Sequence, residues 1–316
     1  MAETPEFSRR GIMTAAAISA AAGITANCAA QAKESGASAL SSHPGFAPMN
    51  PIDNAYGYAK MEGALDGSTN YHLASGYILG FMPGELPRQL TGFQQLKINK
   101  IEDQGDGVYL DTYSSIYMFT PVDEDTLLHE WTNPYTGVKT EPFHYRSGPS
   151  KLLITPEGFK SPSRPDGSGR PNPFVLPWLV MDDTVFRRMN TFNWFPSDLL
   201  PEEWPLESPG EQMISSFLTT AQGSLKELSD RSLARMNVTS FTNAQTNWLP
   251  WMLMGKIPGF IGYHVVGKNY AALEQLPPAT LNMVEQVNSD ILNSPFDLPY
   301  TLQFREYKNH RSPKPT

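Results

Sequence analysis

The stretch "VYLDTYSSIYMF", residues 108–119, decides the fold class. Tyr109, Asp111, Tyr113, Ser115 and Tyr117 fall on one face of an extended chain, and Val108, Leu110, Thr112, Ser114, Ile116 and Met118 on the other. Side chains of a strand alternate with period two, whereas a helix would scatter both sets around its circumference. Asp106-Gly107 just ahead is a turn signal, so a strand starts there. The alternation sets in near Tyr71 and continues through "DTLLHEWT" and "VKTEPFHY". Residues 71–146 therefore read as a meander of antiparallel strands, the kind of sheet that closes into a barrel or folds into a sandwich. Pro142, inside one candidate strand, predicts an edge or a bulge.

Strands resume at "WLVMDDTVFRRMNTF", "EQMISSFLTTAQ" and "SLARMNVTSFTNAQT". One helix is predicted, in "PATLNMVEQVNSDILNSP", where Leu281, Val284, Val287 and Ile291 keep helical spacing between prolines. Residues 156–177 are rich in Gly, Pro and Ser, and so long a loop is a lid, a binding loop or a disordered segment. Charged residues make up only 18% and aromatics 11%, with 28 prolines, a balance that suits strands and loops over a helical bundle. The fold class expected is all-β or β-rich α+β: an antiparallel barrel-like, lipocalin-like domain with long loops and a C-terminal helix.

The N-terminus reads as an address. Arg9-Arg10 precedes an Ala-rich apolar run of about 13 residues, short of the roughly 20 that span a bilayer, and Ala30-Gln31-Ala32 fits a small-x-small cleavage site. Residues 1–32 are read as a twin-arginine export signal, 33–54 as a flexible lead-in and 55–316 as a single domain, periplasmic or secreted. Cys28, the one cysteine, would leave with the signal, so neither a disulfide nor a thiol nucleophile is expected. A net charge of -8 argues against a nucleic-acid partner. No membrane span is read after the signal, and a homo-oligomer is compatible with these features.

The usual signatures of nucleotide, metal or serine-nucleophile sites are absent from the sequence, so no cofactor and no metal are expected. The densest constellation is "HEWTNPYTGVKTEPFHY", residues 129–145. In Asn133-Pro134-Tyr135-Thr136-Gly137 the Pro fixes φ, the Asn bonds back to its own backbone and the Gly takes a left-handed conformation, which makes a hairpin turn. His129 and His144 flank it, and a histidine can move a proton near neutral pH. Asp111, between Tyr109 and Tyr113, would have a raised pKa if that face points inward; facing outward, it is ordinary surface. Of Arg187-Arg188, one arginine must face inward on a two-sided strand and wants a carboxylate partner. A second dense stretch, "NWLPWMLMGKIPGFIGYHVVGK", brings Trp248, Trp251, Met252 and His264, which pave a pocket or pack a core.

Trp131-Thr132-Asn133-Pro134-Tyr135-Thr136-Gly137, Phe143-His144, and Trp248 to Gly255 with Pro258-Gly259 together resemble the DUF1838 family, a set of mostly bacterial, often exported proteins named as a domain of unknown function. The resemblance spans most of residues 55–305. It implies a β-rich, barrel-like fold and no established reaction.

Together these readings predict an exported enzyme, without a cofactor, doing proton-transfer chemistry on a hydrophobic, aromatic or polycyclic small molecule, as a lyase, dehydratase or isomerase. His144 or His129 would act as acid or base, with Asp111 assisting and Tyr113 or Arg188 stabilising an oxyanion. Trp131, Asn133, Trp248, Trp251, Met252 and His264 would line the substrate site. The alternative is a periplasmic lipocalin-like carrier of a hydrophobic ligand. An enzyme needs at least two titratable groups converging on one ligand atom, and a carrier does not.

Overall fold

A computed structural model describes residues 45–160 and 176–314. The expected export signal, most of the lead-in and most of the 156–177 loop lie outside the described residues. The chain opens with helix α1 (Pro51–Glu62) and strands β1 (Asn70–Phe81), β2 (Arg88–Gly105) and β3 (Val108–Thr120). A short ribbon of β4 (Trp131–Thr132) and β5 (Lys139–Thr140) precedes β6 (Tyr145–Thr155) and β7 (Gly158–Lys160). Then come β8 (Trp178–Met181), β9 (Thr184–Pro196), β10 (Gln212–Ser224), helix α2 (Leu225–Ser229), β11 (Thr239–Thr246) and β12 (Phe260–Tyr270). Helices α3 (Pro278–Asn288), α4 (Asp290–Asn293) and α5 (Gln303–His310) follow.

Ten strands form one antiparallel sheet in the order β7-β6-β3-β2-β1-β12-β11-β10-β9-β8. Within each wing the strands pair in chain order, β3 passing over the β4–β5 ribbon to pair with β6, and β12 returns to pair with β1 from Tyr71↔Tyr270 to Phe81↔Phe260. Two wings thus meet at the β1–β12 seam, and the sheet curls into a half-barrel whose end strands among the described residues are β7 and β8. The expected β-rich, barrel-like architecture is the one observed.

The alternation of β3 sorts the two faces. Ile116 and Met118 point to the convex side with Leu73, Leu96 and Ile98, where Met283, Val284 and Ile291 of α3 and α4 cover them. Each such side chain contributes roughly 1.5–3 kcal/mol on burial. Asp111, Tyr113, Ser115 and Tyr117 point to the concave side.

Two plugs close the ends of the concavity. At one end α1 lies inside the curl, with Phe46, Tyr56, Tyr58 and Met61 packed on Tyr109, Ile154, Trp178 and Val185. Gly57 permits this, because a Cβ there would sit 2.6 Å from the Phe46 ring. The helix corrects the expected lead-in: Asn50 caps it by accepting from the Ile52 and Asp53 amides, and Pro51 occupies its first turn. Lys60, wholly buried, donates to the Glu227 and Asp230 carbonyls at 2.7 and 2.6 Å and fastens α1 to the end of α2.

At the other end Trp131, Trp204, Trp248, Trp251, Met252 and Met254 pack against Phe93, Phe119 and Ile261. Here the predicted strands "DTLLHEWT" and "VKTEPFHY" shrink to the two-residue pairs of β4 and β5. Likewise "SLARMNVTSFTNAQT" is strand only from Thr239, since Asp230 turns the chain by accepting from the Ser232 amide.

Candidate functional site

Between the plugs the concave face is polar. Paired residues of a sheet share a face, so the register itself assembles the band: Asn70↔Asn99↔Tyr113 in one row and Asn269↔His72↔Lys97↔Ser115 in the next. A third row runs Arg187↔Ala221↔Ser240↔Gly267↔Ala74 across the other wing. Glu62, the last residue of α1, reaches into the same space.

Lys97 Nζ lies 2.9 Å from Glu62 Oε2 and 3.1 Å from Asp111 Oδ2, bridging two carboxylates. Asn99 Nδ2 donates to Asp111 Oδ1 at 2.8 Å. Arg187 Nη2 reaches Glu62 Oε1 at 2.6 Å, and its guanidinium lies 4.2 Å from the centre of the Tyr58 ring. The Lys97 ammonium also sits 4.9 Å from the centre of the Tyr113 ring. His72 Nε2 is 2.9 Å from Ser240 Oγ. Gly267 leaves the space for that contact, because a Cβ there would stand 2.4 Å from the imidazole nitrogen and 2.6 Å from the hydroxyl.

The groups differ in access. Lys97 and Glu62 keep 17% and 20% of their side-chain surface, while Asp111 and Arg187 keep 2% and 3%. A molecule entering the concavity therefore meets Lys97, Glu62 and the partly buried His72 first, with Asp111 and Arg187 behind them.

Burial and pairing drive the titrating groups apart. Burial alone would raise Glu62, but Lys97 and Arg187 outweigh it and hold this carboxyl far below the usual range. Burial also opposes the charge on Lys97, yet Asp111 and Glu62 overcome it and keep the ammonium protonated well beyond its ordinary pKa. At Asp111 burial wins over Lys97 and Asn99, so its carboxyl is raised. Burial pulls His72 down to about 4, which makes it a neutral imidazole at pH 7. Burial also raises Tyr113. Two carboxyls sharing one ammonium but pushed in opposite directions are an arrangement seen where proton-handling roles are divided. Charges buried this deeply seldom add stability over apolar packing.

The residues expected from the sequence divide. Asp111 and Tyr113 belong to this band. Arg188 does not: it is exposed on the convex side, and its neighbour Arg187 is the inward member of the pair. His129 is exposed on the surface. His144 is partly buried, but its Nδ1 accepts from the Phe119 amide and its Nε2 donates to the Leu128 carbonyl, both at 3.1 Å. Neither ring nitrogen is free for a substrate, and burial lowers this histidine to about 4 as well.

The two dense motifs do meet, as a packed plug and not as cavity walls. Asn133 accepts from the Tyr135 and Thr136 amides, as a turn asparagine should, and donates to the Met252 carbonyl at 2.7 Å. Gly137 takes φ +74°. Trp131 stands edge-on to Trp251 at 5.2 Å and donates to the Leu90 carbonyl, and Trp248 donates to the Ile257 carbonyl. Trp251 and Met252 are 2% and 0% exposed. His264 faces the convex side and stacks on Tyr77.

Sequence reasoning missed Glu62, Lys97, Asn99, His72 and Ser240. The signal was present in β2, where Gln95, Lys97 and Asn99 alternate with Leu96 and Ile98. Among the described residues no group of His, Cys, Asp or Glu is arranged to hold a metal ion. No helix among them is long and apolar enough to cross a membrane. No curated protein matches the chain. The sequence profile described as "Protein of unknown function (DUF1838)" matches residues 67–297, from just before β1 to just beyond α4. That span holds the whole sheet, both aromatic motifs and all of the charged band except Tyr58 and Glu62 of α1, and so the chain belongs to the DUF1838 family.

Proposed function

We propose that this protein is an exported enzyme that moves a proton on a hydrophobic, ring-bearing small molecule inside the curled sheet, without a nucleotide cofactor. The observation that carries this reading is the register pair His72↔Lys97: a neutral imidazole beside a permanently charged ammonium, both reaching the concavity. His72 takes the proton from a carbon or hydroxyl of the substrate, and Ser240 holds the ring in place. Lys97 stabilises the oxyanion that develops, in a site where burial strengthens the attraction. Asp111, Glu62 and Asn99 keep Lys97 charged and aimed, and Tyr113 flanks it. Tyr117, Tyr263 and Phe93, whose rings pack together, offer the apolar wall for the rest of the substrate. Elimination, hydration and isomerisation all fit this set.

The barrel-like curl and its aromatic wall also fit a carrier of a hydrophobic ligand, and one experiment separates the two. The mature protein is incubated in D2O with a panel of hydrophobic enolisable ketones and hydroxylated polycycles, and exchange at carbon is followed by NMR. The enzyme reading expects exchange or turnover of at least one compound, abolished in His72→Ala and Lys97→Met. Binding of panel members with no exchange by the wild-type protein leaves the carrier reading and removes the enzyme.

A further inference from the structure

The two wings of the sheet differ on their convex faces. That of the first wing is covered by α3 and α4, whereas that of β9 to β12 is uncovered among the described residues and is studded with large apolar side chains. Trp194, Phe192 and Val266 are 59%, 55% and 51% exposed, and Tyr77, Ile214 and Phe241 lie beside them on the same face. With Leu218 and Phe260 at the margin, and roughly 200 Å² for a full ring side chain, this patch offers about 700 Å² of apolar surface. The largest patch of a typical monomer reaches about 300–600 Å², and a stable pair buries about 800 Å² on each partner.

Negative charge is absent from this face. The chain has 32 acidic residues and a net charge of -8, so two copies repel. Yet no outward position of β9, β10, β11 or β12 holds Asp or Glu, and the charged residues there are Arg188 and Lys268. The relief of the face also matches itself. Beside Gly262, over which the Phe81 ring lies, a hollow of about 260 Å³ is lined by Phe81, Asn190, Leu218, Asn243, Gln245 and His264. Trp194 projects four residues further along β9 from Asn190, about 13 Å away at the rise of a strand. A knob and a hollow side by side on one surface are what a twofold contact requires, since each copy then fills the other.

We infer that the convex face of β9 to β12 is the interface of a homodimer, in which the two sheets pack face to face and Trp194 of each copy enters the Gly262 hollow of the other. The mature protein should sediment as a dimer that dissociates on dilution. Trp194→Glu combined with Phe241→Glu should be monomeric at every concentration, with the circular dichroism and thermal midpoint of the wild type. Leu86→Glu, at an apolar residue 86% exposed in the β1–β2 turn, should stay dimeric. In the mature protein, which has lost Cys28 with the signal, Asn243→Cys should be joined to its mate by a short bis-maleimide, a readout that leaves the apolar patch intact. A monomeric wild type overturns the inference, as does a dimer that survives the double substitution or fails to cross-link at Asn243→Cys. A monomer that floats with phosphatidylglycerol vesicles also overturns it, and assigns the face to a membrane surface.

Discussion

The aromatic plug at one end of the curled sheet and the charged band at its middle are built from opposite kinds of sequence. The plug comes from two compact motifs, residues 131–137 and 248–255, whose side chains are packed to near-zero exposure. The band comes from polar residues at alternate positions of β2 and β3, joined by His72 of β1, Arg187 of β9, Ser240 of β11 and Glu62 of α1, each unremarkable among its sequence neighbours. His144 and His72 represent the two regions well. Burial lowers both to about 4, yet His144 has both nitrogens tied to backbone, whereas His72 touches one hydroxyl across a glycine and faces the concavity. A local concentration of unusual residues thus marks where the chain must pack, and the chemistry proposed for this protein draws on ordinary residues that the register gathers.

The largest effect that separates the regions should come from the plug. Trp251→Ala removes a ring wedged between Trp131 and Phe119 and should cost about 3–5 kcal/mol of stability, read from urea unfolding. Hydrogen–deuterium exchange in the charged band should change little in the variant that remains folded. A variant of full stability that has lost ligand binding would move the site to the plug and break the comparison.

The band should respond in the reverse order. Lys97→Met leaves Glu62 and Asp111 facing each other without their shared cation, and should cost about 3–5 kcal/mol because a buried charge is left unpaired. The double variant Lys97→Met, Asp111→Asn removes the cation together with its more buried carboxylate, leaves Glu62 paired with Arg187, and should recover most of that loss. Its proton-exchange activity should stay absent. Were the double variant as active as the wild type, the charges would be no more than an internal salt bridge.

How much of this was readable beforehand follows from the same contrast. Period-two alternation in "VYLDTYSSIYMF" was enough for the strand, its two faces and the placement of Asp111 and Tyr113, because side-chain direction in a strand is a local property. The Asn133 turn was legible for the same reason. Helix α1 was not, although Asn50-Pro51 is a good start signal, since its Gly and Tyr residues look like a linker until the curl supplies a surface to pack on. The Arg187 and Arg188 choice turned on a one-residue register, which alternation alone does not fix when the pair is identical. Lys97 and Ser240 lie 25 and 168 residues beyond His72 along the chain, and only the β1–β2 and β11–β12–β1 pairings bring them together.

Substituting the two histidines sharpens the comparison at a smaller scale. His144→Ala removes two hydrogen bonds that hold the turn after β3 and should cost about 1–3 kcal/mol, with activity retained in the folded protein. His72→Ala should leave the unfolding midpoint nearly unchanged and lower turnover of a substrate found by exchange about 100-fold or more. An inactive but stable His144→Ala protein would exchange the roles assigned to the two residues.

The smallest effect is the pH dependence of stability. Both histidines have a folded pKa near 4, below the value of about 6.5 for the unfolded chain. Between these values the unfolded state binds more protons, so their neutral burial favours folding fully above about pH 6.5, and that support fades as pH falls toward 4. Glu62, held low, supports folding above the ordinary carboxylate range and loses this only on further acidification, while the raised Asp111 works in the opposite sense just above that range. The fall from pH 6.5 to 5 should therefore carry the histidines, at up to about 1.4 kcal/mol per pH unit for each proton. Replacing His144 with Gln should remove one proton from the slope of unfolding free energy against pH, and replacing His72 should remove the other. A slope unaltered in His72→Gln would mean that this imidazole titrates in the folded protein as it does in the unfolded chain, and that burial is not what keeps the proposed base neutral.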